Sequence, residues 1–548
     1  MNRIAASILL VLCAVAAGAS VSAGTALGLT SPLAVAAPEP AFNLDADVAR
    51  VMKTFDVPGI AIAIVKDGKL VTARGFGVRK LGHPEAVDAN TLFEIASNSK
   101  AFTVAALAML VDQGTLAWDD PVTRHLPDFQ MFDAYVTREM TVRDLLTHRS
   151  GFGLGAGDLL WWPGTRFSSD EIIEKLRYIR PATSFRASYA YDNVLYIVAA
   201  KIIANKSGKS WGETVRGSIL QPLGMTATTT SLLENAGNPN LANAHSKIDG
   251  KVAAVKAIAV PNAAGAVGIN SNAADLARWM TVLLDGGALK SAPNDAQGRE
   301  ARLFSAAQGR ELWTAQTLMK ITEPVPVLAA TRPNFFAYGL GFQLRDYHGK
   351  KLALHGGALQ GFYTRVVLVP EAKLGIAILT NAESGGALTA LQYRLLDHYL
   401  GAAPSDWISL VRDADTAAHA TELARQDSAL DTRAAHSQPS LALAAYDGEY
   451  QDTWYGKASI KTVGGKHVLS FAMTPDLVGE LEHFQHDTFI VRWKERNFGA
   501  DAYVTFALNP DGSIERMKMA PISTETDFSY DFADLTFVPV TVKKAEAK

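Results

Sequence analysis

The residues with the clearest potential for chemistry are Ser97 and Lys100, which form the one Ser-x-x-Lys pattern of the 548-residue chain. A serine hydroxyl is a weak nucleophile until a base accepts its proton, and a lysine can be that base only when burial and nearby cations lower its pKa. The following run, 101–110, has apolar residues at helical spacing and stops at Gln113-Gly114. Because residues three apart share one face of a helix, the Lys100 amine can reach the Ser97 hydroxyl. The pattern therefore predicts a lysine-activated serine nucleophile at the start of a helix.

A second segment, Tyr191-Asp192-Asn193, stands directly before another run with helical periodicity, 194–204. Asn193 is predicted to cap this helix, and an aromatic residue beside a cap is by itself an ordinary helix start. In a catalytic interpretation, the Tyr191 phenol shares protons with Ser97 and Lys100, passes one to the leaving group and later activates water. The Asn193 amide would then hold a substrate carbonyl.

The third segment, His355-Gly356-Gly357-Ala358, ends a short predicted strand that begins at residue 352. Glycine permits the close approach of another backbone, as expected of an edge strand that lines a cleft and pairs with an extended substrate. The N–H groups of Ala358 and Ser97 would together form an oxyanion hole. A single histidine before glycines is otherwise typical of a turn.

In order and spacing, the three segments resemble the class C β-lactamase-like serine hydrolases, which include penicillin-binding DD-peptidases, D-aminopeptidases and related esterases. The resemblance extends to 145–151, 222–225, 272–278 and 338–341 and covers about residues 42 to 400. It implies an α/β (α+β) fold in which an antiparallel sheet flanked by helices lies beside an all-helical lobe, with the site in the cleft between them. It also implies an acyl-enzyme on Ser97, proton transfer by Lys100 and Tyr191, and a His355 that binds a substrate carboxylate or carbonyl or assists deacylation.

One departure from the family bears on the substrate. β-Lactamases of this family carry Lys-Thr-Gly where this chain has His355-Gly356-Gly357, the form found in many of the peptidases and esterases. Lys206-Ser207-Gly208 imitates the lactamase triplet, but it follows Tyr191 too closely and is predicted to end a helix. We therefore expect a peptidase or amidase that acts on D-amino-acid, linearised cyclic or peptidoglycan-like peptides. A carboxylesterase for short acyl esters, a β-lactamase and a penicillin-binding protein without turnover are the alternatives.

The N-terminus is typical of an exported protein. Arg3, an apolar stretch over 4–17 and a small-residue site ending at Ala23 predict a secretory signal over 1–23, with cleavage possible as late as residue 37. The one cysteine, Cys13, lies in this signal, so neither a disulfide nor a thiol nucleophile is expected in the mature protein. The net charge of −3 gives no reason to expect nucleic acid, and no later segment has the apolar length of a membrane span. We expect a periplasmic or secreted enzyme with a small-molecule or peptide substrate, and oligomerisation is compatible with this.

Beyond the signal, the sequence is predicted to divide into a hydrolase domain over 42–402, a helical linker over 403–440 and a small all-β barrel over 441–545. The barrel resembles the lipocalin-like appendage of some family members. Two roles are open for it. It either caps or dimerises the catalytic domain, or it binds a ligand or shapes the substrate entrance.

Two further features allow opposing interpretations. The loop 155–168 carries Trp161 and Trp162, which either form a wall of the substrate cleft or pack within the helical lobe. His483 and His486 resemble metal ligands, but alternation along a strand would place them on opposite faces. The sequence therefore predicts neither a metal site nor a cofactor.

Overall fold

The computed structural model describes residues 42–290, 298 and 300–540. The predicted signal segment and residues 541–545 of the predicted barrel lie outside the described residues. Within those ranges, no helix has the length and apolar character needed to cross a membrane.

The helices of the described residues are, in chain order, α1 (Leu44–Thr54), α2 (Ser99–Asp112), α3 (Val122–His125), α4 (Ala134–Glu139), α5 (Ser169–Lys175), α6 (Val194–Ser207), α7 (Trp211–Val215), α8 (Ala264–Val267), α9 (Ala273–Leu284), α10 (Ala306–Leu312), α11 (Gly385–Leu400) and α12 (Trp407–Asp431). The strands of the first domain are β1 (Gly59–Lys66), β2 (Lys69–Gly77), β3 (Phe93–Glu94), β4 (His245–Ile248), β5 (Lys251–Ala254), β6 (Asn270–Ser271), β7 (Thr317–Leu318), β8 (Phe336–Tyr338), β9 (Gln343–Tyr347), β10 (Lys350–Leu359), β11 (Phe362–Val369) and β12 (Leu374–Thr380). The strands of the second domain are β13 (Gly448–Asp452), β14 (Gly456–Val463), β15 (Lys466–Phe471), β16 (Val478–Gln485), β17 (Thr488–Trp493), β18 (Ala502–Leu508), β19 (Ile514–Pro521) and β20 (Val538–Pro539).

An antiparallel sheet in the order β2-β1-β12-β11-β10-β9-β8-β7 forms the centre of the first domain. Alternation along β1 separates two cores, because Ile60, Ile62 and Ile64 face the helices α1 and α11, whereas Ala61 and Ala63 face the other side. The helices from α3 to α8 form the lobe beside this sheet. This arrangement confirms the expected fold of an antiparallel sheet flanked by helices with a helical lobe.

Helix α2 is buried along most of its length between the sheet and the lobe. Its Thr103 hydroxyl donates to Gly265 O at 2.6 Å and accepts a hydrogen bond from the Trp211 indole at 2.9 Å. These buried hydrogen bonds fix the helix that begins two residues after Ser97.

The prediction of an edge strand over 352–358 is correct for His355 to Ala358, but not for Ala353 and Leu354, which pair on both sides. Lys350–Leu354 pairs with β9 and Ala353–Leu359 pairs with β11, so His355–Leu359 pairs with β11 alone among the described strands. The glycine-containing half of β10 is therefore open along one edge, although the strand lies inside the sheet order.

The second domain is an antiparallel sheet in the order β19-β18-β17-β16-β15-β14-β13-β20. Met517 of β19 and Phe537, just before β20, exchange backbone hydrogen bonds of 2.8 and 3.1 Å, so the sheet is nearly closed. The expected all-β barrel is therefore confirmed. Helix α12 lies within the segment that we predicted to be a helical linker.

The two histidines of this domain that resemble metal ligands do not share a strand. His486 lies in the turn after β16 with a φ of 46°, and the His483 ring donates from Nε2 to the His486 carbonyl at 2.9 Å. The reason we gave against a metal site, opposite faces of one strand, is therefore wrong.

Gly357 and Gly356 of β10 provide a matched test of how tightly this strand packs. A Cβ at Gly357 would lie 2.1 Å from Ile95 O, whereas a Cβ at Gly356 would have no neighbour nearer than 3.9 Å. We expect Gly357→Ala to lower Tm measurably, because overpacking costs about 1–3 kcal/mol, while Gly356→Ala unfolds near the wild-type temperature. Equal Tm values for the two variants in calorimetry would contradict this packing.

Candidate active site

Ser97 lies in a tight turn, the 3-10 turn Ala96–Asn98, that leads directly into α2. Ala96 has a φ of 48°, a left-handed conformation that is costly for a residue with a side chain and is found most often at functional sites. The Asn98 amide donates to Thr364 Oγ1 of β11 at 2.9 Å and so ties the turn to the sheet. Ser97 is held at the position where the helix, the lobe and the open half of β10 meet.

The Lys100 amine is completely buried beside this serine. Its Nζ lies 3.1 Å from Ser97 Oγ, donates to Asn193 Oδ1 at 2.7 Å and contacts Ala266 O at 3.3 Å. Burial lowers the pKa of Lys100 to about 7, and the carboxyls of Asp158 and Asp192 act in the opposite direction. Of the two causes that we expected, burial and nearby cations, burial alone therefore lowers the pKa of this amine.

Aromatic rings form the surroundings of this amine. Nζ of Lys100 lies 4.8 Å from the centroid of the Tyr191 ring and 5.1 Å from that of Tyr196. Burial raises the pKa of the Tyr191 phenol well above its usual value, and a hydrogen bond with Ser97 partly opposes this. Tyr191 is therefore a neutral phenol with a proton to donate next to the serine.

The Asn193 side chain does not cap α6, which corrects our prediction. Its Oδ1 accepts from Lys100, and its Nδ2 donates to Asp158 Oδ2 at 2.8 Å. Both ends of the amide that was expected to hold a substrate carbonyl are thus engaged within the protein. In this arrangement Asn193 orients Lys100.

Asp158 is a site residue that sequence reasoning missed. It is fully buried and accepts hydrogen bonds from the Trp161 indole at 2.9 Å, from Asn193 and, at 2.8 Å, from the hydroxyl of Ser529 in the barrel domain. Burial raises the pKa of Asp158 to about 7, against the effect of these donors and of Lys100. A lone aspartate in a loop carries no sequence signal of such a role.

His355 projects from β10 toward the same cluster. Its Nδ1 donates to the Gly356 carbonyl at 2.6 Å, so its Nε2 is the acceptor for the Tyr338 hydroxyl at 3.0 Å. Burial, together with the charge of Lys100, lowers the pKa of His355 to about 3. A neutral ring whose one N–H is directed to Gly356 O offers neither a charge to a substrate carboxylate nor a free donor to a substrate carbonyl. Of the roles implied by the family, this arrangement favours assistance in deacylation.

A second histidine, His148, also lies in the cluster. Its ring centroid is 4.3 Å from that of Tyr191 and 4.5 Å from that of Tyr338, and its Nδ1 accepts from the Asp192 backbone at 3.2 Å. Burial lowers the pKa of His148 well below its usual value. The sequence marked 145–151 and 338–341 only as family segments and did not single out these rings.

One continuous cavity brings together all but two of the residues that we selected from the sequence. Its lining includes Ser97, Trp161, Tyr191, Asn193, His355, Gly356, Gly357 and Ala358. The exceptions are Lys100 and Trp162. Lys100 is fully buried beside Ser97, and Trp162 is buried and packs edge-on against Tyr530 of the barrel domain at 6.3 Å between ring centroids. The wall interpretation therefore fits Trp161, and the packing interpretation fits Trp162.

The fold and the cluster of Ser97, Lys100 and Tyr191 define a protein of the β-lactamase and penicillin-binding-protein class. The chain belongs to the β-lactamase family, whose profile, described as "Beta-lactamase", matches residues 44–400. A second profile, described as "Domain of unknown function (DUF3471)", matches residues 432–539.

Curated relatives agree with this family. "Unguisins hydrolase ungD'" of Aspergillus campestris (strain IBT 28561) is 31% identical over 500 residues, which cover 86% of this chain and 88% of the relative. "Penicillin-binding protein 4" of Amycolatopsis lactamdurans is 29% identical over 355 residues, which cover 63% of this chain and 85% of the relative. The hydrolase-named relatives and the family assign the chain to the hydrolases.

Among solved structures, the octameric penicillin-binding protein homologue from Pyrococcus abyssi has the same fold. The two superimpose with a TM-score of 0.56 at 21% identity, over 90% of this chain and 99% of the homologue. This likeness, together with the family match, confirms the resemblance inferred from the sequence.

The two neighbouring tryptophans are expected to respond differently to the same substitution. Trp161→Phe removes the indole hydrogen bond to Asp158 and should lower the hydrolytic rate roughly tenfold, since misplaced catalytic groups lose rate steeply. Trp162→Phe should lower Tm and leave the rate within about twofold, because the side chain contributes packing. Steady-state kinetics and calorimetry on both variants check this, and equal rate losses would contradict the division of roles.

Proposed function

We propose that this protein is a serine hydrolase that forms a covalent acyl-enzyme on Ser97 and cleaves amide bonds of peptides. One observation carries the proposal. The Lys100 amine is fully buried, lies 3.1 Å from Ser97 Oγ and has a pKa lowered to about 7. An amine that is neutral near pH 7 and adjacent to a serine hydroxyl is the activated arrangement that acyl transfer needs.

In acylation, neutral Lys100 accepts the Ser97 proton while Oγ attacks the substrate carbonyl. The amine has one lone pair for this proton, since its remaining N–H bonds are directed to Asn193 Oδ1 and Ala266 O. The C–N bond breaks as the Tyr191 phenol donates its proton to the leaving nitrogen, and the phenol recovers a proton from Lys100. Backbone N–H groups of Ser97 and Ala358, which line the same cavity, are the proposed donors to the oxyanion.

In deacylation, a water molecule attacks the ester carbonyl of the acyl-enzyme. Tyr191 and Lys100 again form the proton path, which takes the proton from water and returns one to Ser97 Oγ as the ester bond breaks. The neutral His355, with Nδ1 directed to Gly356 O, contributes polarity near the carbonyl and no charge.

The open half of β10 supports a peptide as the substrate class. His355–Leu359 pairs on one side only, and an extended peptide can add to such an edge by backbone hydrogen bonds. The hydrolase named for unguisins among the relatives supports hydrolytic turnover rather than acylation alone. Peptides of D-amino acids, linearised cyclic peptides and peptidoglycan-like fragments are the substrates that we propose. The signal-like N-terminus supports action in the periplasm or outside the cell.

Covalent labelling tests the nucleophile directly. A fluorophosphonate should add to Ser97 with a stoichiometry of one, and a penicillin adduct should form at the same residue, whereas Ser97→Ala should form neither. Intact-mass spectrometry with peptide mapping measures both adducts. The labelling rate should rise with pH through a limb near 7, because Lys100 acts as a base only after it loses its proton.

Lys201→Gln is the matched control, since Lys201 lies on α6 and pairs at the surface with Asp170 at 2.6 Å. It should label at the wild-type rate. Labelling of a serine other than Ser97, or a rate independent of pH between 5 and 9, would refute the assignment.

A pair of chromogenic substrates separates peptidase from esterase. D-Alanine p-nitroanilide and a p-nitrophenyl ester with a short acyl chain should both be hydrolysed, with turnover of the anilide expected because Tyr191 can protonate a leaving nitrogen. Hydrolysis of the ester with no turnover of any D-amino-acid amide would favour the carboxylesterase alternative. A single burst of ester cleavage without steady state would favour a penicillin-binding protein that does not turn over.

A further inference from the structure

A segment of the barrel domain, Asp527–Asp531 between β19 and β20, reaches the active-site cavity. Ser529 Oγ donates to Asp158 Oδ2 at 2.8 Å, and Asp531 Oδ2 accepts from the Gly157 backbone at 3.0 Å. The Phe528 ring lies edge-on to the Tyr191 ring, at 5.8 Å between centroids and an interplanar angle of 83°. Phe528 also lines the cavity that contains Ser97.

These contacts connect the barrel domain to the nucleophile by four consecutive hydrogen-bond distances. They run from Ser529 to Asp158 at 2.8 Å, on to Asn193 at 2.8 Å and to Lys100 at 2.7 Å, and end at Ser97 Oγ at 3.1 Å. Each member is buried. The Ser529 hydroxyl therefore helps to fix the Asp158 carboxylate. This carboxylate orients the Asn193 amide, which in turn holds Lys100.

The loop of the catalytic domain fits this segment closely. Gly155 has a φ of 71°, and a Cβ added to it would lie 2.7 Å from both the carbonyl oxygen and the ring of Phe528. Only a residue without a side chain permits this approach of the two backbones. The contact is thus a built part of the interface.

We propose that the barrel domain completes the active site, with Ser529 as a positioning residue for Lys100 and Phe528 as a specificity-determining wall that favours an apolar group beside the scissile bond. The proposal rests on the proposed role of Ser97 as nucleophile. It assigns a function to a domain whose profile is described as one of unknown function.

Other contacts hold the barrel domain in place without touching the catalytic cluster. Ser523 Oγ donates to Glu422 of α12 at 3.1 Å, and the Arg166 backbone donates to Met473 O at 2.9 Å. If the domain were only a cap, these contacts would matter as much for activity as Ser529. Ser523→Ala is therefore a matched control for Ser529→Ala.

The charged and titratable groups around Asp158 determine how the labelling rate of Ser529→Ala should depend on pH. Lys100 faces it from α2, Tyr191 from the segment before α6, and Asp531 from the barrel domain. The Ser529 hydroxyl stabilises the ionised Asp158, so its removal favours the neutral acid. A neutral Asp158 no longer stabilises the Lys100 ammonium, so Lys100 loses its proton at lower pH. The acid limb of the labelling rate should therefore move to lower pH in Ser529→Ala.

The experiment measures fluorophosphonate labelling of Ser97 in full-length protein as a function of pH. Ser529→Ala should be labelled roughly tenfold more slowly at the plateau of the pH profile, and its acid limb should lie at lower pH. Ser523→Ala should match the wild type. Ser529→Thr, which keeps the hydroxyl, should have its acid limb at the wild-type pH. Phe528→Ala is compared using a long-chain and a short-chain alkyl fluorophosphonate. The ratio of the labelling rate with the long-chain reagent to that with the short-chain reagent should fall several-fold. The Phe484 ring packs against Tyr503 within the barrel, so Phe484→Ala should leave this long-to-short ratio unchanged.

The outcomes separate the two proposals. If wild-type Ser97 is labelled but Ser529→Ala behaves like Ser523→Ala, the positioning role is wrong and the proposed nucleophile stands. An unchanged or increased long-to-short ratio in Phe528→Ala refutes the proposed role of Phe528 as a specificity-determining wall. If wild-type Ser97 is not labelled at all, the proposed function and this inference fall together.

Discussion

The burial of a single amine, that of Lys100, is the constraint on which the rest of the structure depends. A charged ammonium is expensive to remove from water, so a site that excludes solvent favours the neutral amine and lowers its pKa to about 7. Exclusion of solvent here requires a helix buried nearly all round, aromatic rings over the amine and hydrogen bonds for its remaining protons. The buried helix α2, its hydrogen bonds through Thr103 and the strained turn at Ala96 all serve this requirement.

A buried amine near two buried carboxyls creates a second requirement, since each polar group inside a protein needs partners. Asp158 receives three donors, from the adjacent loop, from the start of α6 and from the barrel domain. The electrostatics of the serine site are therefore shared between the two domains. This explains why the barrel contacts the cluster itself and not only the outer surface of the catalytic domain.

Much of the fold could be predicted because its signals are local. The helical spacing in α2 and α6 lies within stretches of about ten residues, and each helix forms where its pattern predicts it. The edge character of β10 was only half predictable, because the pairing of a strand is decided by which partner strands end beside it. The same holds for His486, whose position depends on where β16 ends.

The sequence by itself determined the class of the fold and the segments that carry Ser97, Lys100, Tyr191 and His355, because their spacing and helical periodicity are properties of neighbouring residues. Only the tertiary structure decided what surrounds them. Asp158 and Ser529 are 371 residues apart in the chain and 2.8 Å apart in space, and no local pattern records such a pair. Likewise, the Asn193 side chain accepts a hydrogen bond from Lys100 and does not cap α6. The reason is that the buried Lys100 amine forms a stronger hydrogen bond to Asn193 Oδ1 than a backbone N–H at the start of the helix would.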